Sequence, residues 1–592
     1  MGSESEAGPS AAAPTADGMP DAPPASGAAR VLSTAQKLSL ALVGLWLLFF
    51  FTLHYKVAFS VLLFAACVFY LAVIGYKLLI VMLSLVRRPE IRVTPEEIAA
   101  ARASELPVYT VLVPLYRETE VAAKVVRAVG ALDYPQELLD VKLLLEADDP
   151  ETIEACRAAD LPGFVEIVIV PDGRPKTKPR ACNHGLAGAR GEFLVIYDAE
   201  DRPEPDQLLK AVAAFRRSDE ETACLQAKLN YYNPDQSHLT RFFTLEYTTW
   251  FDLFLPGLHA LGVPIPLGGT SNHFCTDVLR ELGGWDPFNV AEDCDLGIRI
   301  HRAGYRTRVV DSTTWEEATA ELGNWLRQRS RWVKGYLQTH LVHTRPGRSR
   351  ADALLRGVGA AAFIAFVAVF SLTITRLMHT AEGETWPHEA YALFEYAHWG
   401  VALFALAWLV RGLVRGTRRL GAMGHASFLA TVWGLSATLL LNPVYWIAML
   451  VYLVRPWKIW YAEGISEYHQ GLNLYRLLWD AITGRGALAD IGFMDGWSIV
   501  SQLFVPIAVV LLLANAVFIL TALAACLRRR LARLWLYALA MPIYWIFISV
   551  AAWKGALQLI TRPFYWEKTR HGLFDAGTEP APPNGESPEA PA

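Results

Sequence analysis

The sequence predicts an α/β domain inserted between α-helical transmembrane segments. Three observations support this prediction: long apolar runs at both ends of the chain, short apolar runs that alternate with helical patterns in the middle, and a composition of 53% apolar and 19% charged residues. The chain of 592 residues is also longer than one ordinary domain. Such a balance of apolar and charged residues is typical of a membrane protein.

The N-terminal part is predicted to be a disordered tail followed by two transmembrane helices. Residues 1–36 are rich in Ala, Pro, Gly and Ser, so they bury too little apolar surface to fold. Residues 37–86 contain two apolar runs that approach or exceed the ~20 residues a helix needs to cross a bilayer. Arg87, Arg88 and Arg92 follow the second run and favour a cytosolic exit.

The central part, residues 107–345, has the pattern of repeated strand–helix units. Predicted strands lie at 108–116, 141–147, 165–172 and 192–201, and predicted helices at 119–132, 150–160 and 179–189. The strands are continuous apolar runs, so both faces of their sheet are expected to be covered. Repeated units of this kind predict a mostly parallel, doubly wound sheet that binds its ligand at the carboxyl ends of the strands.

The C-terminal part is predicted to return to the membrane. Residues 354–560 contain apolar runs long enough for transmembrane helices, and the stretch 455–497 has the mixed Trp, Tyr and charged composition of interfacial helices. Residues 561–592 form a C-terminal segment that ends in a disordered tail rich in Pro and acids. Five apolar runs after the central domain would place this segment outside, unless one of them is interfacial or re-entrant.

Carboxylates gather after the predicted strands and in the stretch "NVAEDCDLG". They are Glu118, Glu146, Asp148, Asp198, Glu200, Asp201, Glu292 and Asp293. Acids at one edge of a sheet repel one another unless a cation joins them, and Mg²⁺ or Mn²⁺ prefers carboxylate oxygens and bridges phosphates. The sequence therefore predicts a metal and nucleotide site, with helix N-capping as the alternative role for an isolated Asp pair.

Basic residues accompany the acids. Lys178 and Arg180 precede a predicted helix, where cations and a helix N-terminus together suit a diphosphate. A solvated basic loop is the alternative interpretation. The net charge of -4 gives no reason to expect nucleic acid, and seven scattered Cys without metal-ligand spacing indicate reduced thiols.

Four motifs in order resemble one enzyme family. "VPLYRE", "DAED", "AED" and "QRSRW" are similar to the motifs of inverting family 2 glycosyltransferases, and most similar to the membrane-embedded branch with cellulose, hyaluronan and curdlan synthases. The resemblance covers residues 107–345 and implies a GT-A (Rossmann-like) catalytic domain in the cytosol. It also implies a multi-pass protein of the cell (inner) membrane, embedded in the lipid bilayer.

The resemblance implies a role for each matching residue. Glu118, Glu146 and Asp148 would bind the nucleotide, together with Lys178 and Arg180. Asp198 would bind the diphosphate and the metal. Either Glu200 or Asp201 would be the second metal ligand, since "DAED" replaces the usual DxD.

Further roles follow from the later motifs. Asp293 of "AED" would be the catalytic base and Glu292 would lie beside the acceptor. Gln328 and Arg331 would hold the pyrophosphate, and Trp332 would contact the acceptor end of the glycan. The C-terminal "PFYWEKTRHG" is similar to gating loops that cover the nucleotide in some relatives, with a headgroup anchor as the alternative. Its candidate gating residues are Trp566, Lys568, Thr569 and Arg570.

Helical spacing separates two faces of the segment that holds QxxRW. Gln328, Arg331 and Trp332 fall at i, i+3 and i+4 and so share one face. Arg329 and Lys334, with Arg327, are expected to point elsewhere and meet lipid headgroups. One helix could then both seat the domain on the membrane and hold part of the site.

The predicted function is an inverting, metal-dependent transfer of a sugar from a nucleotide sugar to a growing β-linked polysaccharide. UDP-glucose is the favoured donor, Mg²⁺ or Mn²⁺ the expected cofactor, and processive synthesis coupled to membrane translocation the expected mode. Two alternatives stay open: a non-processive transferase that acts on a lipid acceptor, and a catalytically silent membrane receptor or secretion component.

Overall fold

The fold centres on one eight-stranded sheet. The computed structural model describes residues 27–119, 128–159, 161–345, 420–434, 436–443 and 515–567. Its strands are β1 Tyr109–Leu115, β2 Leu139–Glu146, β3 Val165–Val170, β4 Phe193–Ile196, β5 Arg202–Pro203, β6 Thr222–Tyr231, β7 Asn272–Cys275 and β8 Arg306–Glu316. The first four lie where the apolar runs predicted strands.

The strands run in the order β3-β2-β1-β4-β7-β6-β8-β5. β1 to β4 pair in parallel, as do β6 and β8, but β7 is antiparallel to both of its neighbours and β5 is antiparallel to β8. The sheet is therefore mixed, and the predicted doubly wound parallel sheet is right only for its larger part. β7 has four residues, too few to show a strand pattern in the sequence.

Both faces of the sheet are buried, as the continuous apolar runs predicted. Tyr109, Val111 and Val113 of β1 belong to one apolar cluster, whereas Leu112 belongs to a second cluster on the other face. Alternate strand residues point to opposite faces, so an all-apolar strand requires cover on both.

Helices surround the sheet and extend beyond it. The first ten are α1 Thr34–Arg87, α2 Pro95–Ala103, α3 Pro150–Ala158, α4 Lys178–Ala187, α5 Gln207–Arg217, α6 His238–Thr249, α7 Leu255–Leu261, α8 Thr276–Glu281, α9 Glu292–Arg302 and α10 Leu322–His343. Those that follow are α11 Leu420–Trp433, α12 Ser436–Pro443, α13 Asn515–Arg528, α14 Trp535–Leu539 and α15 Met541–Thr561. The helix predicted at 119–132 lies mostly outside the described residues.

α1 is one continuous helix of 54 residues, where the sequence predicted two transmembrane helices. No Pro interrupts the stretch between the two apolar runs, so the backbone hydrogen bonds continue through it. Within the described residues, Val68–Arg87 and Met541–Thr561 are long and apolar enough to cross a membrane, and α11 with α12 would add a third span if the bent pair counts as one. The predicted runs 354–375 and 391–412 and the interfacial stretch 455–497 lie outside the described residues.

Part of the predicted disordered tail is ordered. Residues 27–33 lie against the domain, where Ala28 is fully buried and its backbone N–H donates to Asp286 at 2.5 Å. Arg345 donates to the carbonyl of Gly27 at 2.9 Å. Backbone groups make these contacts, so the segment needs no large apolar side chain to attach.

α10 is packed between the domain and the apolar helices. Gly335 faces Ala291 next to the start of α9, and Gly555 of α15 faces the Ser330 carbonyl. A Cβ at either glycine would overlap the neighbouring backbone. Small residues thus let three helices approach closely, which places α10 at the boundary of both parts.

Candidate active site

One cavity of about 520 Å³ joins the strand ends, α10 and the apolar helices. It begins at the end of β1, where Pro114 and Glu118 line it, and passes the starts of α4 and α9. It then continues past Trp332 to residues of α1, α12, α13 and α15. Most of the predicted site residues meet here because the carboxyl ends of parallel strands share one edge.

The end of the cavity beside β1 and β2 holds Glu118 and Glu146, the predicted nucleotide contacts. Glu146 ends β2, is buried, and lies 3.7 Å from an Arg180 nitrogen. Burial raises the pKa of Glu146. Two predicted nucleotide residues do not line the cavity: Arg180 pairs with Glu146, and Asp148 pairs with Lys176. Lys176 takes their place in the cavity wall.

The structure separates the two candidate second metal ligands. Asp198 and Glu200 line the cavity, whereas Asp201 does not. One Asp201 oxygen accepts from the Asp198 backbone N–H at 2.8 Å and from the Thr270 hydroxyl. Burial and the nearby Asp198 charge raise the pKa of Asp201 well above its usual range. Asp201 therefore shapes the loop, and Glu200 is the carboxylate that lines the cavity together with Asp198.

The carboxylates of the cavity wall decide whether a divalent cation can bind beside the predicted diphosphate site. Among the described residues no group of three His, Cys, Asp or Glu side chains is arranged to hold a metal. Two carboxylates at the cavity wall, Asp198 and Glu200, do fit the way Mg²⁺ is commonly bound, by one or two carboxylates with the other ligands from phosphates and water.

Glu292 and Asp293 start α9 and lie in the cavity wall. An Asp293 oxygen accepts from the Cys294 N–H at 2.6 Å, and a Cβ at Gly269 would lie 3.5 Å from its other oxygen. The glycine thus leaves space in front of the carboxylate. Burial raises the pKa of Asp293 to about 6, and burial with the adjacent Asp293 charge raises that of Glu292 to about 8.

Two cations face these acids. Lys178 starts α4, pairs with Asp198, and donates to the Gly269 carbonyl at 2.8 Å. Arg331 of α10 interacts electrostatically with Glu292, Asp198 and Asp293. Both cations line the cavity between the two acidic pairs. This arrangement suits a ligand with a diphosphate, since cations and acids alternate along its path.

The second face of α10 is structural, and the predicted headgroup contacts of Arg329 and Lys334 are wrong. Arg329 pairs with Glu246 of α6, and its guanidinium lies 4.4 Å from the ring centres of Phe243 and Trp332. Lys334 is fully buried and donates to the Tyr565 carbonyl at 2.6 Å. Both side chains are enclosed because α6 and α15 cover this face, which helical spacing alone does not show.

The C-terminal segment closes over α10. The Arg331 guanidinium lies 4.3 Å from the Trp566 ring centre, and Trp566 lines the cavity. Glu567 accepts from Lys554 at 2.9 Å and from Gln558 at 3.0 Å. Residues up to Glu567 thus lie beside the site. Lys568, Thr569 and Arg570 lie outside the described residues.

Residues 107–335 match the family model described as glycosyltransferase like family 2. These residues form a family 2 glycosyltransferase domain. Its mixed sheet has a GT-A-like arrangement, and all the motifs that resembled this family lie in one cavity or next to it.

Named relatives match part of the chain. The probable glycosyltransferase YdaM of Bacillus subtilis is 30% identical over 39% of this chain and 56% of its own length. A probable glucomannan 4-beta-mannosyltransferase 7 of rice (Oryza sativa subsp. japonica) is 28% identical over 42% of this chain and 44% of its own. The chain thus spans about half the length of these curated relatives.

A solved structure is also similar. The mannosyltransferase PcManGT of Pyrobaculum calidifontis, in complex with GDP-Man and Mn²⁺, is 19% identical. The match covers 62% of this chain and 97% of that chain, with a TM-score of 0.35.

The glycosyltransferase domain contains acids that the sequence analysis missed. Glu316 and Glu317 follow each other at the end of β8 and line the cavity. Burial and the charges of Asp201 and Asp198 raise the pKa of Glu316 well above its usual range. The signal was present, because this acidic pair also follows a strand, but the polar residues of β8 hid the strand.

Proposed function

We propose that this chain is an inverting, metal-dependent hexosyltransferase that extends a β-linked glycan from a nucleotide sugar. The observation that carries the proposal is the single cavity in which Asp293, Lys178 and Arg331 lie together. A buried carboxylate beside two cations provides a base and a binding site for a leaving diphosphate. The GT-A-like domain explains how the chain brings these groups to one edge.

Asp293 is the proposed base. Its buried carboxylate has a pKa of about 6, so it is mostly ionised at pH 7 and is a stronger base than an exposed Asp. It would accept the proton of the acceptor hydroxyl as the hydroxyl oxygen forms its bond to the anomeric carbon. The bond from that carbon to the diphosphate breaks on the opposite face, which inverts the configuration.

Lys178 and Arg331 would stabilise the departing nucleoside diphosphate through charge-assisted hydrogen bonds. Gln328 lies one turn before Arg331 and its buried Oε1 has no hydrogen-bond partner among the described residues. It is therefore placed to accept from a bound hydroxyl or water. A divalent cation held by Asp198 and Glu200 would supply further neutralisation of the diphosphate.

Trp332 would position the acceptor. It lies in the cavity wall between Arg331 and the apolar helices, and its ring lies 6.0 Å from that of Tyr247. An aromatic face suits the C–H surface of a sugar ring. Beyond it the cavity continues among helices of which two could cross a membrane, which supports processive extension with passage of the glycan through this part.

We further propose that Trp566 covers the donor site as a gate. It stacks on Arg331, and Lys334 holds the preceding residue through its carbonyl. The position of this segment beside the catalytic cavity favours the gating interpretation over a headgroup anchor. We also propose that the domain and residues 562–567 lie together on the cytosolic side.

The donor would be a hexosyl nucleotide. UDP-glucose is the prediction from the synthase resemblance, and the names of the rice relatives favour a mannosyl donor instead. Purified protein in lipid nanodiscs should be given labelled UDP-glucose or GDP-mannose with Mg²⁺ or Mn²⁺, and the products should be sized and their linkages determined. A β-linked polymer from either donor supports the proposal. A single sugar on lipid would replace it with the non-processive alternative, and no turnover of any hexosyl donor would overturn it.

A further inference from the structure

The part of the cavity among the apolar helices contains a cation. Lys77 of α1 lines this part, within the candidate span Val68–Arg87. Its ammonium lies 5.1 Å from the ring centre of Phe518 on α13. Ionisable residues in membrane-spanning helices are costly and are commonly retained for function.

Lys77 has no anionic partner among the described residues. Glu246 lines the same cavity, but it pairs with Arg329 and accepts from Tyr544 at 2.8 Å. Two buried lysines of the α/β domain, Lys142 and Lys228, do have carboxylate partners. Lys77 lines the cavity, where its ammonium can contact a bound ligand.

Polar groups surround this position. Tyr70 lies two helical turns before Lys77 on the same face of α1 and donates to Asn515 at 3.2 Å. Asn515 is one turn before Phe518, so α1 and α13 bring their polar groups to one level of the cavity. Asn442 lines the same cavity, and its Oδ1 is buried without a hydrogen-bond partner among the described residues.

We propose that these polar groups, from Tyr70, Lys77, Asn442 and Asn515, form a glycan-binding site. The site would recognise an anionic group, a carboxylate or a phosphate, on the acceptor chain. Neutral sugars need only hydroxyl, amide and aromatic groups, which Ser436, Asn442 and Trp545 already supply in the cavity wall. An ammonium adds selectivity only for a negative charge, because its charge-assisted hydrogen bond is stronger than a neutral one. The inference rests on the proposed glycan-extending function and names the acceptor class for it.

Binding of defined oligosaccharides tests the proposal. The full chain in nanodiscs is dialysed against three labelled β-1,4-linked hexasaccharides: mannohexaose, hexamannuronate and phosphorylated mannohexaose. At about 50 mM salt, where screening is incomplete, at least one anionic hexasaccharide should bind roughly tenfold or more tightly than mannohexaose. Preference for hexamannuronate assigns the group as a carboxylate, and preference for the phosphorylated chain assigns it as a phosphate.

Variants assign the preference to Lys77. Lys77→Gln should abolish it and Lys77→Arg should retain it, while Lys37→Gln, which removes an exposed Lys from the same helix, should leave it unchanged. Equal affinities for the three hexasaccharides, or a preference that survives Lys77→Gln, would overturn the inference. Failure of transfer from every hexosyl donor would overturn the proposed function but not the binding result, so the two failures are distinguishable.

Discussion

The two ends of the cavity differ in how their charges are arranged. At the α/β end, acids and cations alternate: Lys178 pairs with Asp198, and Arg331 faces Glu292 and Asp293. At the helical end, Lys77 stands among aromatic and amide groups without an anion from the described residues. Paired charges whose partners a substrate can replace are suited to catalysis. A single charge in an apolar wall is suited to binding an oppositely charged group. Substitutions at the two ends should therefore change different properties.

The largest effect is expected at the α/β end. Asp293→Asn removes the base but keeps the shape of the side chain, so transfer should fall by about 10²–10⁴-fold. Donor binding should stay within about twofold, because the diphosphate contacts are made by other residues. Single-turnover transfer and calorimetric binding of the nucleotide sugar measure the two. Substantial polymer synthesis by this variant would rule out Asp293 as the base.

Arg331 and Arg329 lie two positions apart on α10, and their substitution should have different effects. Loss of Arg331 should lower donor use, and loss of Arg329 should lower the stability of the fold. Arg331→Ala should lower kcat/KM by about 10²–10³-fold through loss of diphosphate stabilisation, with a small change in thermal unfolding. Arg329→Ala leaves Glu246 without its cation and should destabilise the fold by about 3 kcal/mol. Thermal unfolding in detergent and donor kinetics should be measured for both. The same loss of stability in both variants would contradict the division of α10 into two faces.

The pH dependence of transfer reports on the acids at the start of α9. Protonation of Asp293 removes the base, and its pKa is about 6. As pH rises through this value the ionised fraction grows, so kcat/KM should fall about tenfold per pH unit below it and level off above it. A profile measured from pH 4.5 to 7.5 on protein shown to stay folded tests this. A profile that is flat from pH 4.5 upward would mean that the base is an exposed carboxylate elsewhere.

Substitution of Trp566 should have a smaller effect on transfer, limited to use of the donor. Trp566→Ala removes the stack on Arg331, an interaction of roughly 1–2 kcal/mol, and should weaken donor use by about tenfold. Tyr565→Ala is the matched control, because the Lys334 contact uses the backbone carbonyl of residue 565 and not its side chain. Equal losses in both variants would point to general disruption of the segment in place of a specific gate.

The smallest effect is expected at the helical end. Asn442→Leu removes a buried amide from the cavity wall and should shorten the polymer by about two- to threefold, as loss of one neutral hydrogen bond allows. Met423→Ala, at an exposed position of α11, serves as the control. Product sizing by gel filtration compares them. An unchanged length distribution for Asn442→Leu would argue against passage of the glycan along this wall.

Much of the α/β domain could be predicted from the sequence, for a specific reason. β1, β2 and β4 are buried on both faces, so apolar runs predicted them, and the carboxylates of the site follow at their ends. β7 was not predicted because it is a short antiparallel strand between β4 and β6. β8 was not predicted because its polar and charged residues mask the strand pattern. Glu316 and Glu317 at its end were therefore not predicted as site residues.

The sequence by itself determined which chemical groups are available. The ordered motifs, the spacing that puts Gln328, Arg331 and Trp332 on one helix face, and the apolar runs at both ends are local properties, readable from neighbouring residues. They were sufficient to indicate a family 2 glycosyltransferase domain, which the family model confirms.

Only the tertiary structure decided where those groups point. It directed Asp201 into its loop and left Glu200 beside Asp198 in the cavity wall. It gave Arg329 a partner 83 positions away, and it brought Lys77 of α1 to the far end of the catalytic cavity. The physical reason is the same in each case: burial and charge pairing depend on contacts between distant segments, and no local pattern encodes which distant segment will be adjacent.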